Sequence, residues 1–253
     1  MSLVSGQQYG RWEQRGQWAC APVAICLARA YRYGTAGLRW ARGVRLAGSD
    51  AFLTRNEQGV SPVYDREALI ALVRHKALKF GSFTLVSGKR SSYYLDGKQV
   101  TLDPHGARLI AEGFLDLVER SGWQPDAIGG MAIGADPITA AAVTMSSVRG
   151  TPLLGFMVRK EAKGHGTNQY LEGPVQPGQT AVIVEDVVTT GGSSLAAIER
   201  AKAFGLKIVG ILAVIDRMEG GAEAFAKLGL PFYSLLSIQD FGISPPGRAE
   251  EAE

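Results

Sequence analysis

Residues 180–205 read TAVIVEDVVTTGGSSLAAIERAKAFG. The apolar run Ala181–Val184 has the unbroken hydrophobicity of a parallel strand buried on both faces. Two adjacent acids, Glu185 and Asp186, follow it and end the strand expected over Thr180–Glu185. Thr189, Thr190, Gly191, Gly192 and Ser193 come next. There the carboxyl end of the strand gives way to a helix over Ser194–Phe204, which Gly205 stops. Open α/β sheets bind ligands along that edge. Two glycines let the backbone approach an anion closely. The unpaired N–H groups of the helix point to the same spot, with about half a positive charge from the aligned peptide dipoles. The acid pair does not suit an anion; it suits the hydroxyls of a sugar, or a metal-bound water. A plain connection with a capping Ser or Thr would explain the glycines and threonines but not the two acids. The segment is not a Gly-Lys-Ser/Thr phosphate loop, and it lacks the G-x-G-x-x-G dinucleotide fingerprint.

Outward from this unit, the chain alternates helix and strand. Asp65–Leu78 reads as a helix with Asp65 as its cap and Leu69, Leu72, Val73 and Lys76 at helical spacing. Phe83–Val86 and Ser92–Leu95 read as a strand pair with Ser87 and Gly88 near the turn. Pro104–Ser121 is an expected helix with Leu109, Ile110, Phe114, Leu117 and Val118 on one face. Strands are expected at 127–133, 153–158, 208–215 and 232–237, with helices at 137–149 and 221–228 between them. Strands separated by helices imply an α/β fold with a central parallel sheet and helices on both faces.

A second segment, RKEAKGHG at 159–166, carries Arg159, Lys160, Lys163 and His165 within seven residues. Gly164 and Gly166 break any helix, and Gly173, Pro174, Pro177 and Gly178 follow. Residues 159–178 therefore read as a long mobile loop. By itself such a run fits a solvated charged loop. Beside an anion site it fits a basic flap over a multiply charged leaving group, with bidentate contacts from Arg, point charges from Lys and a proton or hydrogen bond from His.

The TTGGS loop after two acids resembles the 5-phosphoribosyl 1-pyrophosphate (PRPP) loop of the type I phosphoribosyltransferases. RKEAKGHG resembles the catalytic loop of the orotate phosphoribosyltransferases. Further pieces come in that family's order: FGSFTLVSGKRSSYYLDGK at 80–98 is similar to its N-terminal hood, IGGMAIGADPITAA at 128–141 to its pyrophosphate loop, and VIDRMEGG at 214–221 to the strand end whose arginine holds the orotate carboxylate. The likeness runs from about Tyr64 to Ile238. It implies the type I phosphoribosyltransferase fold, a central parallel sheet flanked by helices with a small N-terminal hood. It also implies a pentosyl transfer from PRPP to orotate that yields orotidine 5′-monophosphate and pyrophosphate in pyrimidine biosynthesis.

Residue by residue, the resemblance gives Lys163, Asp186 and His165 catalytic roles. PRPP contacts would come from Arg159, Lys160, Lys163, His165, Glu185, Asp186, Val187, Val188, Thr189, Thr190, Gly191, Gly192 and Ser193. Thr189 and Arg217 would contact orotate. Magnesium would be held mainly through PRPP, with no direct protein ligand assigned. A homodimer sharing its catalytic loop across the interface is expected. The chain departs from one bacterial branch of the family where lysines give way to Val86 and Gly134, and where two hood aromatics become Tyr94 and Leu95. Lys98, just after the hood, is expected to supply a missing charge. A purine-type phosphoribosyltransferase and a non-catalytic PRPP-sensing regulator are the competing readings. RKEAKGHG and Arg217 argue against the first, and the complete basic loop argues against the second.

The chain has 253 residues, 46% of them hydrophobic, and a net charge of +3. That charge is uneven: residues 1–60 hold eight arginines against three acids, while the remainder is slightly acidic. The first 60 residues also hold no lysine, three of the four tryptophans and both cysteines. They are expected to form an atypical basic extension, disordered or weakly structured, before an enzyme domain at 61–240 and a flexible tail at 241–253. The nearly neutral body gives no reason to invoke nucleic acid. Cys20 and Cys26 fit neither a C-x-x-C redox pair nor a zinc site. His75 and His105 are expected to have no catalytic role. No run reaches 18 apolar residues, and Pro22 and Glu13 argue against a targeting peptide, so a cytoplasmic protein without membrane contact is expected. A fused decarboxylase barrel is not expected after the last strand.

Overall fold

The computed structural model describes residues 64–84, 90–161 and 170–245. These lie in one compact unit, Glu57–Glu253. The basic extension at 1–60, Val86, the 87–88 turn, Lys163, His165 and the end of the tail lie outside the described residues.

Helix α1 (Arg66–Lys76) begins where expected, with the Asp65 carboxylate accepting from Ala68 N at 2.9 Å. It ends two residues early because strand β1 (Leu78–Thr84) starts there. β1 pairs antiparallel with β2 (Arg90–Leu95), Leu78 opposite Leu95 and Phe80 opposite Tyr93. The expected first strand began only at Phe83. The Gly81-Ser82 pair looks like punctuation, yet here it sits in a register shift between Phe80 and Phe83 that the ladder passes through. A short helix α2 (Lys98–Thr101) follows, which no periodicity marked. Helix α3 (Pro104–Ser121) has the expected bounds. Asp103 accepts from His105 N and Gly106 N at 3.0 Å each, Pro104 opens the first turn, and Gly122 at φ 72° closes the last.

The main sheet contains β3 (Ala127–Met131), β4 (Leu154–Val158), β5 (Leu171–Glu172), β6 (Thr180–Val188), β7 (Lys207–Asp216) and β8 (Phe232–Ser237). Their order is β5-β4-β3-β6-β7-β8. All neighbours are parallel except β4 and β5. Helices α4 (Asp136–Val148), α5 (Gly192–Phe204) and α6 (Gly221–Ala226) connect the parallel strands. One face of the sheet, including Val182, Val184 and Leu212, packs on Leu69, Val73, Ile110, Phe114 and Ile138 of α1, α3 and α4. The other, including Ala181, Ile183 and Ile211, packs on Ala197, Ile198 and Phe225 of α5 and α6. The unbroken apolar run in β6 thus reflects burial on both faces.

Two differences from the sequence expectations affect the site. β6 runs three residues past Glu185, because Val187 and Val188 extend the ladder opposite Ile215 and Asp216. Glu185 and Asp186 are therefore fixed within a strand. Second, Leu171–Glu172, expected within a loop, form β5 against Met157 and Val158. The chain leaves β3 toward β4 and leaves β6 toward β7, on opposite sides. The sheet's topological switch point therefore lies between β3 and β6. Among the described residues no helix is long and apolar enough to cross a membrane.

Candidate active site

The loops after β3 and β6 flank the switch point. Between them lies the acid pair. Glu185 is buried, 6% exposed, and its Oε2 accepts a hydrogen bond from Ser194 Oγ at 3.1 Å. Burial first, and the neighbouring charge of Asp186 second, push the Glu185 carboxyl up to about 7, against the pull of the Ser194 hydroxyl. Asp186 is half-buried, and its Oδ1 accepts from Val187 N at 2.9 Å.

Two glycines crowd these carboxylates. A Cβ at Gly134 would stand 3.0 Å from Asp186 Oδ1 and 3.3 Å from Glu185 Oε1; one at Gly97 would stand 3.3 Å from Asp186 Oδ2. Gly134 thus brings the loop after β3 directly over both acids. Gly97 brings the turn that leads from the hood against Asp186, and Lys98, exposed, follows it.

Beyond Val188 the chain turns at Gly191, whose φ of 81° is left-handed. A Cβ there would meet the Phe225 ring at 2.9 Å. Gly191 is the N-cap of α5 and makes no side-chain capping bond. The helix therefore starts at Gly192, two residues before the expected Ser194, and no Ser or Thr caps it. The hydroxyl of Ser194 is turned to Glu185 instead. The first N–H groups of α5 are left for a ligand, beside the exposed Thr190, Gly192 and Ser193. On the other side, Gly221 N donates to Thr189 O at 3.0 Å and fastens α6 to the loop.

One strand over, Arg217 N donates to Val188 O at 2.9 Å, which sets Thr189 and Arg217, the two residues expected at orotate, on adjacent strand ends. The Arg217 side chain is nearly buried. Its Nε donates to Tyr93 Oη at 2.9 Å, its Cζ lies 4.9 Å from the Tyr93 ring centroid, and Nη2 pairs with Glu219 Oε1 at 2.7 Å. The sequence draws attention to Tyr94, but Tyr94 is 45% exposed and stacks on Phe83, with centroids 5.7 Å apart. Its neighbour Tyr93 faces inward. The alternation along β2 is the signal that separates the two.

The basic loop's described feet are held together. Arg159 N donates to Tyr170 O at 2.7 Å. Arg200 on α5 donates from Nη1 to Arg159 O at 2.5 Å and lies 4.3 Å over the Tyr170 ring. The Arg159 guanidinium, expected at pyrophosphate, is paired with Glu172 Oε1 at 2.8 Å. Lys160 is exposed. The structure thus brings together Glu185, Asp186, the 187–193 loop and Arg217. Arg159 and Lys160 lie at the start of the segment whose centre, with Lys163 and His165, is outside the described residues.

Comparisons with known proteins agree with this architecture. The phosphoribosyl transferase domain family matches residues 97–227. The chain is 56% identical over 185 residues to the orotate phosphoribosyltransferase of Rhodopirellula baltica, covering 72% of this chain and 96% of that one. It is 44% identical over 179 residues to the enzyme of the same name from Aquifex aeolicus, covering 70% and 97%. Among solved structures, Mycobacterium tuberculosis orotate phosphoribosyltransferase in complex with PRPP matches with 34% identity and a TM-score of 0.60, over 70% of this chain and 99% of that one. With the uncapped helix, the paired acids and Arg217 at one sheet edge, these matches make the chain a phosphoribosyltransferase that belongs to the orotate phosphoribosyltransferase family.

Proposed function

We propose that the protein transfers the 5-phosphoribosyl group of PRPP to orotate, giving orotidine 5′-monophosphate and pyrophosphate in pyrimidine biosynthesis. The observation that carries this reading is the uncapped N-terminus of α5 beside Glu185 and Asp186, with Arg217 on the next strand. The 5′-phosphate accepts hydrogen bonds from the backbone around Thr189, Thr190, Gly191, Gly192 and Ser193, with Val187 and Val188 leading the chain into that cradle. Glu185 and Asp186 accept from the ribose hydroxyls. Orotate, its N1 proton already given up to solvent, attacks C1 of the ribose through N1 as the C1–O bond to pyrophosphate breaks, and the bonding pair leaves on the pyrophosphate oxygen. Positive charge develops on the ring and faces Asp186. Arg159, Lys160, Lys163 and His165 stabilise the departing oxygens. Arg217 pairs with the orotate carboxylate, and Thr189 holds the base beside it.

Among the described residues no group of three His, Cys, Asp or Glu gathers as a metal cage. Two adjacent carboxylates beside the switch point fit an ion that keeps its waters and binds chiefly substrate oxygens, which is the habit of magnesium. Bound with PRPP, it supplies Lewis-acid neutralisation of the pyrophosphate. The enzyme works as a cytoplasmic homodimer in which the basic loop of one subunit serves its partner's site. The domain spans residues 61–240, with the basic extension before it and the short tail after. Nothing in the site favours a purine base or a purely sensing role over orotate, because Arg217 answers a carboxylate that purines lack. Mass detection of orotidine 5′-monophosphate, formed from orotate and PRPP with Mg²⁺, tests the reading.

A further inference from the structure

We propose that Tyr93 is a positioning residue for orotate, acting through Arg217. The inference rests on the assignment of Arg217 to the orotate carboxylate and goes beyond it to what aims that arginine. A guanidinium has five N–H donors in a rigid fork. In this site Nε donates to the Tyr93 hydroxyl oxygen at 2.9 Å, and Nη2 forms an ion pair with Glu219 Oε1 at 2.7 Å. Nη1 has no acceptor among the described residues. The Nε–Nη2 side of the fork is therefore occupied within the protein, and the Nη1–Nη2 end remains for a bidentate ligand carboxylate.

Two independent features make Tyr93 able to fix the plane of that fork. Its phenol is buried, 8% exposed, so its oxygen has little water to exchange with. Its ring lies under the guanidinium, 4.9 Å from Cζ, and adds a cation–π contact to the hydrogen bond. Its backbone is pinned as well: Tyr93 stands opposite Phe80 in the hairpin, and Ser91 Oγ donates to Tyr93 O at 2.6 Å. This side-chain contact joins the hood to the end of β7, 124 residues away in sequence. Arg217 with Tyr93 in place is preorganised, whereas a free arginine loses several rotamers on binding.

The test is a double-mutant cycle on the full chain with Tyr93→Phe and Arg217→Lys. Phenylalanine keeps the ring beneath the cation and removes only the acceptor. The expected result is an orotate KM raised about tenfold, the scale of one hydrogen bond to a charged group. PRPP KM and kcat should move less than about twofold by the same reasoning. On the Arg217→Lys background the same change should have almost no further effect, because the partner of the hydroxyl has gone. Equal shifts in both KM values, or a Tyr93→Phe effect undiminished on the Arg217→Lys background, would overturn the proposal. If Arg217→Lys raises orotate KM and Tyr93→Phe does not, the Tyr93 assignment falls while the reading of Arg217 stands. If Arg217→Lys leaves orotate KM unchanged, both fall.

Discussion

Ser194, in the first turn of α5, gives its hydroxyl hydrogen to Glu185 at 3.1 Å, and both residues are almost wholly buried. This contact ties the third residue of the helix to an acid of the preceding strand. The helix N-terminus itself is open because its N-cap is Gly191, which has no side chain, and one carboxylate is buried beside another.

That buried pair makes stability depend on pH. The Glu185 carboxyl is pushed up to about 7, mainly by burial, above its ordinary value. In the window between the two values the folded state holds a proton that the unfolded chain has released. The stabilisation is complete below the unfolded value and is lost as pH rises through about 7. Glu185→Gln removes the titration. Its Tm should exceed that of the parent by a few degrees at pH 8, and the gain should shrink toward pH 5. Tm measured across that range for both proteins, without PRPP, checks the sign; a gain that grows toward low pH would be the wrong one.

Gly191→Ala should damage the phosphate cradle. The residue holds φ 81°, and a Cβ would press on the Phe225 ring at 2.9 Å. The left-handed conformation alone costs roughly 1–2 kcal/mol for a residue with a side chain. We expect a lower Tm and a PRPP KM raised at least about tenfold, since misplaced N–H groups lose charge-assisted bonds. Thermal melting with and without PRPP reads both effects, and PRPP should stabilise the variant less than the parent.

Arg200→Ala should slow turnover without touching substrate. Arg200 ties Arg159 O and the Tyr170 ring, the two feet of the basic loop. Loosening them should lower kcat on the order of tenfold, because small displacements of transition-state donors are costly. Arg200→Lys keeps the charge but not the planar stack, so it should recover only part of the loss. Steady-state kinetics of the two variants, with orotate KM as the quantity that stays constant, separates this from general damage.

Shared active sites predict complementation. In a random mixture of Lys163→Ala and Asp186→Asn subunits, half the dimers are mixed, and each has one intact site, so about a quarter of the parent activity should return. Activity measured before and after mixing the two purified proteins gives the answer; no recovery despite demonstrated subunit exchange would mean each chain completes its own site.

Much of this architecture was legible from periodicity. The bounds of α3 and β8 and the cap at Asp65 follow from local signals that packing does not override. The order of the longer strands and helices was equally plain; the short α2 and β5 were not. The sequence was less clear where tertiary pairing decides. Glu185 and Asp186 look like a strand end, since charge usually leaves a sheet; β7 carries the ladder past them. Leu171–Glu172 are too short to show a period and become a strand only against β4. A capping Ser or Thr is suggested by the loop's composition, yet Gly191 takes the cap position and Ser194 turns to Glu185. Tyr93 and Arg217 show no relation in sequence because the hood must fold onto the sheet edge to join them.

The most direct measurement follows the ultraviolet absorbance of orotate with PRPP and Mg²⁺, beside parallel assays with adenine, hypoxanthine and uracil. Consumption of orotate that requires both PRPP and Mg²⁺ is expected, with no consumption of the three bases that lack a carboxylate. Consumption of another base while orotate is untouched would contradict the assignment of Arg217 and the base site. PRPP binding with no base consumed would contradict catalysis itself.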